Sequence, residues 1–214
     1  MRLALYSDQE IAANAAMDER VLRLIAVRRP RIGYVASAPD PSRSYFDHKR
    51  AYYHRLGAEL TMYIDSESTD LEGDVQALCT CDAIHLSGGN TFTFLHWLRA
   101  RGLLTPLHAY ALAGRGVLIG ASAGAILMTP NIQTAVLCGD VRPQDFTDDQ
   151  GLGLVDFLFW PHYQRGAKVS IPLDQARLVY GCEDGAGVIV DGAAVELHGA
   201  VPIAQQPVAA DGHA

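Results

Sequence analysis

The chain predicts an α/β protein, a three-layer α/β/α arrangement with a mainly parallel sheet, and three observations lead there. Short apolar segments alternate with helical stretches over the first 128 residues, the pattern of parallel strands joined by right-handed crossovers. The segment Gly116-Val117-Leu118-Ile119-Gly120 is apolar throughout, as central strands covered on both faces are. The 214 residues, 49% of them hydrophobic, suffice for one core without staples.

The elements follow in order. Residues 2–6 form a first strand, and a helix over 11–27 is stopped by Pro30. A strand at 32–36 runs into a loop of small residues and proline, 37–42. A polar helix over 44–56 follows, with Gly57 as its C-terminal cap. Residues 59–63 are a strand, 71–78 a short helix, and 83–87 a strand that enters Gly88-Gly89-Asn90-Thr91. Helices are expected over 92–101 and over 104–112, and Thr91 would cap the first of them were the preceding loop an ordinary β-to-α turn. The strand 116–120 leads to a helical stretch, 125–128. Beyond Met128 the pattern weakens to a strand at 157–160, a helical piece at 174–179 and a hairpin over 188–197. Asp191-Gly192 offers that hairpin a type I′ turn. One domain is expected over 1–204, with a loose tail at 205–214 that has little to bury.

The 17 basic residues against 24 acidic ones give a net charge of −7. Such a field repels nucleic acid, whose binding rests largely on phosphate neutralisation. No apolar run reaches the ~20 residues of a membrane span, so the cytoplasm is the expected compartment. Cys79, Cys81, Cys138 and Cys182 contain no C-x-x-C pair and are expected as small buried hydrophobes. No dinucleotide or phosphate-binding glycine motif and no H-E-x-x-H is present, so neither a cofactor nor a metal is implied.

The strongest chemical signal is Gly120-Ala121-Ser122-Ala123-Gly124. It sits between an apolar strand and a helix, the setting that a G-x-S-x-G nucleophile elbow requires. The helix that follows is expected to add a positive dipole end beside Ser122. Gly88 and Gly89, also at a strand's carboxyl end, leave backbone N–H groups uncovered for an anion or an oxyanion. Ligands of open α/β sheets bind outside those strand ends, so the two loops can share one crevice. Among eight histidines, His162 follows Phe157-Leu158-Phe159-Trp160-Pro161, a strand and a proline-fixed loop from which a base can reach a neighbouring strand end. His85, within a buried strand, reads as a satisfied core residue. Glu183 and Asp184 in a glycine-rich loop, and Asp140 elsewhere, are the acids that could orient an imidazole.

Four segments in this order and spacing, Leu86-Ser87-Gly88-Gly89-Asn90-Thr91-Phe92, Ile119-Gly120-Ala121-Ser122-Ala123-Gly124-Ala125, Trp160-Pro161-His162-Tyr163 and Gly181-Cys182-Glu183-Asp184, resemble the S51 serine peptidases. The resemblance covers nearly the whole chain. It implies a fold similar to class I glutamine amidotransferase domains, flavodoxin-like, closed by a C-terminal hairpin. It also implies a Ser-His-Glu triad: Ser122 as nucleophile, His162 as base, Glu183 as the orienting acid, with Asp184 and Asp140 as alternatives. Backbone N–H groups of Ala123 and of Gly88 or Gly89 would form the oxyanion hole. The implied substrate is a short peptide, hydrolysed through an acyl-enzyme without a cofactor. The family includes aspartyl dipeptidases, so an N-terminal aspartate is one expectation. Asn90, Arg165 and Arg177 are the candidates for holding substrate, with Lys168 a further cation. An esterase or amidase on the same scaffold, or a non-catalytic small-molecule binding module, is the alternative. A homodimer is the assembly suggested by analogy. Two departures stand out: Ser87 occupies a place where the aspartyl dipeptidases carry another glycine, and the segment after His162 is short.

Overall fold

The computed structural model describes residues 1–169, 171–174 and 177–205. Its centre is a seven-stranded sheet in the order β3-β2-β4-β5-β1-β8-β9. The strands are β1 Arg2–Tyr6, β2 Arg31–Val35, β3 Glu59–Ile64, β4 Ala83–Leu86, β5 Val117–Ala121, β8 Gly187–Asp191 and β9 Ala194–His198. The first five are parallel, and β8 and β9 add antiparallel pairs at one side. Every residue of β4 and β5 is buried, because helices cover both faces. On one face α1 (Ala15–Ile25) and α2 (Ser44–Arg55) pack Met17, Val21, Tyr52 and Tyr53 onto Ala4, Ile32 and Ile119. On the other, α3 (Leu71–Leu78), α4 (Thr91–Ala100) and α5 (Leu104–Ala113) pack Leu78, Phe94, Leu98 and Leu107 onto Leu3, Ile84 and Leu118. This is the three-layer arrangement with a mainly parallel sheet that the alternation predicts. Among the described residues no helix is long and apolar enough to cross a membrane.

A second, three-stranded sheet in the order β10-β7-β6 stands beside the first. It comprises β6 (Leu158–Trp160), β7 (Val179–Gly181) and β10 (Ile203–Gln205). Residues 177–179, expected within a helical piece, instead enter β7, whose Val179 is fully buried beside Leu158. Residues 175 and 176 of that piece, and the expected tail at 206–214, lie outside the described residues. Gln205 belongs to β10 rather than to the tail.

Local details differ from expectation at several element ends. Helix α1 stops at Ile25, where Ala26 turns left-handed at φ 58, well before Pro30. Asn90, not Thr91, caps α4, accepting the Thr93 N–H at 2.9 Å. The hairpin turn is Gly192-Ala193, with only Gly192 at positive φ (62°), which is the type II′ pattern rather than I′. Cys79 is exposed, whereas Cys81 and Cys182 are buried.

His85 departs from the satisfied core residue expected. It is fully buried and stacks on Tyr34 across the β2–β4 pair, 5.2 Å between ring centres. Its Nδ1 meets Tyr53 Oη at 2.9 Å, while Nε2 has no partner among the described residues. Burial, helped by the nearby Lys49 ammonium, pushes its pKa well below the ordinary imidazole value. The unfolded chain therefore binds a proton at His85 below about pH 6.5 that the folded chain refuses. Stability is full above that pH and falls as pH drops beneath it. Urea unfolding at pH 7, 6 and 5 should show this loss, and His85→Gln should make the slope shallower by up to ~1.4 kcal/mol per pH unit.

Candidate active site

Ser122 lies between β5 and a one-turn helix, α6 (Ala123–Ile126), with φ 49° and ψ −109°. A non-glycine residue is strained there, and such strain clusters at functional sites. The flanking glycines permit the bend. A Cβ on Gly120 would stand 2.5 Å from the Gly124 backbone, and one on Gly124 would run into the Leu86 carbonyl. Because α6 is a single turn, its dipole adds less beside Ser122 than a longer helix would.

The second sheet delivers the other groups. His162 follows β6 by two residues, after Pro161, and is itself left-handed at φ 55°. Its Nε2 lies 2.9 Å from Ser122 Oγ, and its Nδ1 lies 2.7 Å from Asp184 Oδ1. With Nδ1–H donated to Asp184, Nε2 keeps its lone pair toward the Ser122 hydroxyl, as a base requires. The carboxylate at the imidazole is thus that of Asp184 and not of Glu183. Glu183 turns to the other side of the chain and pairs with Arg165 at 3.1 Å. Asp140 works as a cap instead: it accepts the Thr91 N–H at 2.8 Å and the Asn90 amide at 3.3 Å.

A residue that sequence reasoning missed joins these parts. Ser7, fully buried at the end of β1, accepts the His162 backbone N–H at 2.7 Å. Its hydroxyl faces the Cys182 carbonyl at 2.9 Å and Asp184 Oδ1 at 3.2 Å. One side chain thereby touches the segments that carry both the base and the acid. The available signal was positional: a small polar residue at the carboxyl end of a strand, where α/β sheets bind ligands.

In front of Ser122 lies a cavity of about 590 Å³, reaching across the carboxyl ends of β1, β5, β4 and β2 to α2 and lined among others by Gln9, Tyr34, Lys49, Gly89, Asn90 and His162. It falls where the connections after β1 and β2 leave to one face and those after β4 and β5 to the other, the crevice that binds ligands in such folds. The N–H groups of Gly88, Gly89 and Ala123 have no acceptor among the described residues. A Cβ on Gly88 would occupy the space 3.7 Å from Ser122 Cβ, space that glycine leaves open. Of the substrate-binding candidates, Asn90 lines this cavity. Arg165 is solvent-exposed on Glu183, and Arg177 lines a different hollow beside Asp156 and Val190. Lys168 is exposed. Among the described residues no three His, Cys, Asp or Glu side chains gather as a metal-ligand set.

The geometry yields a direct test of the acid. Asp184→Asn should slow the reaction of Ser122 with a fluorophosphonate probe by roughly 10³–10⁴-fold, the scale for an Asp-to-Asn change in such triads. Glu183→Gln should leave that rate within about twofold; the reverse ranking would reinstate Glu183. Ser7→Ala should slow labelling by about tenfold or more, because misplacement of ~1 Å can cost 10²-fold.

An uncharacterized peptidase of Pasteurella multocida (strain Pm70) is 33% identical over 132 residues, 60% of this chain and 61% of that protein. Peptidase E of Citrobacter koseri is 41% identical over 90 residues, 42% of this chain and 37% of that protein. The aligned part thus spans about three fifths of the first relative's length and little more than a third of the second's. A solved structure from Listeria monocytogenes EGD-e superposes with a TM-score of 0.72 at 22% identity, covering 92% of this chain and 96% of its own. A peptidase from an acI-B1 Actinobacterium gives 0.68 at 18%, covering 95% and 90%; at these identities the two structures speak to the fold. The model of peptidase family S51 matches residues 3–200, and the chain belongs to that family.

Proposed function

We propose that the protein is a serine peptidase acting on short peptides through Ser122, His162 and Asp184. The observation that carries this reading is the continuous path from Ser122 Oγ to His162 Nε2 at 2.9 Å and from Nδ1 to Asp184 Oδ1 at 2.7 Å. It starts at a strained elbow and opens onto the cavity. His162 takes the Ser122 proton as Oγ attacks the peptide carbonyl carbon. The oxygen, now negative, is held by the N–H groups of Ala123 and of Gly88 or Gly89, which cost no reorganisation at that moment. As the tetrahedral intermediate collapses, the C–N bond breaks and His162 returns the proton to the departing amine. Water then repeats the sequence on the acyl-enzyme and frees Ser122. Asp184 holds the tautomer and stabilises the imidazolium that forms twice in each cycle.

An N-terminal aspartate is the substrate to try first. Its side-chain carboxylate needs a paired cation once desolvated. Lys49 lines the cavity, but its ammonium already bonds Glu10 at 2.8 Å and Gln9 at 2.9 Å. A substrate aspartate held by Lys49 would take the place of Glu10 on the ammonium.

The experiment is hydrolysis of dipeptides and tripeptides with acidic, amide, apolar and basic N-terminal residues, beside a p-nitrophenyl ester, by wild type and Ser122→Ala. Cleavage of at least one peptide that falls by ~10⁴-fold or more in the variant is expected, given what loss of a triad serine costs. Ester turnover without peptide turnover would replace the peptidase by an esterase. Saturable peptide binding with no turnover in either protein would replace it by a binding module.

A further inference from the structure

The Gly88 carbonyl is gripped by two hydroxyls, Ser37 Oγ–H at 2.7 Å and Ser87 Oγ–H at 2.9 Å. Ser87 Oγ in turn accepts the Ser37 backbone N–H at 2.8 Å, and the Ser37 carbonyl accepts the buried Trp97 indole N–H at 3.0 Å. Both serines are buried. Gly89 sits at φ 133° so close to Ser37 that a Cβ would strike the Ser37 hydroxyl. None of this is needed for a plain β-to-α turn, since Asn90 and Asp140 already cap α4.

A peptide unit is planar, and its C=O and N–H point to opposite sides. The unit between Gly88 and Gly89 is also the one most free to rotate, because neither neighbour has a Cβ. Rotated by half a turn, it would present a carbonyl oxygen where an oxyanion needs a donor. Two hydroxyls on the Gly88 oxygen oppose that rotation, since both hydrogen bonds would have to break. The same loop is fastened to the nucleophile's turn by the Gly124 N–H, which donates to the Ser87 carbonyl at 3.0 Å. We infer that Ser37 and Ser87 are positioning residues. Their paired hydroxyls lock the Gly88–Gly89 peptide so that the Gly89 N–H is presented to the oxyanion formed at Ser122. The glycines give access to the N–H, and the serines restore the stiffness that glycine forfeits. Ser87 thus has a mechanical task in this chain. The inference rests on the peptidase reading above.

The test uses the full chain and a fluorophosphonate probe. Ser122 Oγ forms a bond to phosphorus, the P–F bond breaks, fluoride leaves and the serine proton passes to His162; the phosphoryl oxygen occupies the oxyanion position. Ser37→Ala and Ser87→Ala should each lower the second-order labelling rate about tenfold, a fraction of the ~10²–10³ that loss of a whole donor costs. On a cleaved peptide the loss should fall on kcat, with KM within about twofold. Ser37→Thr, which keeps a hydroxyl, should recover most of the rate, and urea unfolding should show each variant folded. Labelling of both alanine variants at the wild-type rate would overturn the inference, and so would a change in KM with kcat intact. If Ser37→Ala does not fold, Ser87→Ala alone decides by the same criteria. A wild-type protein that neither labels nor cleaves any peptide would sink the peptidase reading itself. That outcome differs from a wild type that labels normally beside serine variants that match it.

Discussion

The carboxyl end of β1 holds the two sheets together, and the geometry around Ser122 depends on it. At Tyr6 the backbone carbonyl accepts the Ser122 N–H at 2.9 Å, tying the nucleophile's turn to the large sheet. One residue later, the Ser7 hydroxyl reaches the segments after β6 and β7 in the small sheet. Ser122 belongs to one sheet, and His162 and Asp184 follow strands of the other, so their relative placement is an inter-sheet quantity. Hydrogen bonds carry it where water is excluded, and such bonds are electrostatically stronger and more costly to break than exposed ones. An apolar residue at position 7 would leave the His162 N–H without its acceptor, while the Cys182 carbonyl would keep only the Tyr163 N–H.

Exposure divides the site into a rigid part and an open part. Ser7, Ser37, Ser87 and Ala123 are buried, whereas the side chains of His162 and Asp184 are 40% and 56% exposed. The groups that fix backbone direction are therefore dry, and the imidazole and carboxylate proposed to handle protons face solvent. The Asp184–His162 interaction is screened by water in the free protein. A peptide filling the cavity would displace that water and strengthen the pairing when charge develops on the imidazole.

The sequence resolves the elbow at Ser122 because three independent signals coincide there: an apolar strand, small residues on both sides and a turn that only they permit. His162 is legible for a related reason, a proline-fixed exit from a buried strand. The choice between Glu183 and Asp184 is not. The two residues open a turn that the Ala186 N–H closes on the Glu183 carbonyl at 2.9 Å, and which of them meets the imidazole is set by how that turn meets Ser7 at the end of β1 rather than by local composition. Ser7 and Ser37 escaped notice because small polar residues at strand ends are common, and their partners lie 175 and 51 positions away. The hairpin turn shifted by one residue because the β1–β8–β9 ladder, and not the Asp-Gly pair, fixes the register.

The backbone at Ser122 has one more consequence. Residues held in such sparsely populated conformations carry roughly 1–3 kcal/mol of strain each, a fair share of the 5–15 kcal/mol that separates a folded domain from its unfolded chain. Glycine would relax much of it. Under selection for stability alone, position 122 would drift toward glycine, and the proposed nucleophile would be the first side chain discarded. With Ser122 in that proposed role, one pair of dihedral angles sets durability against activity.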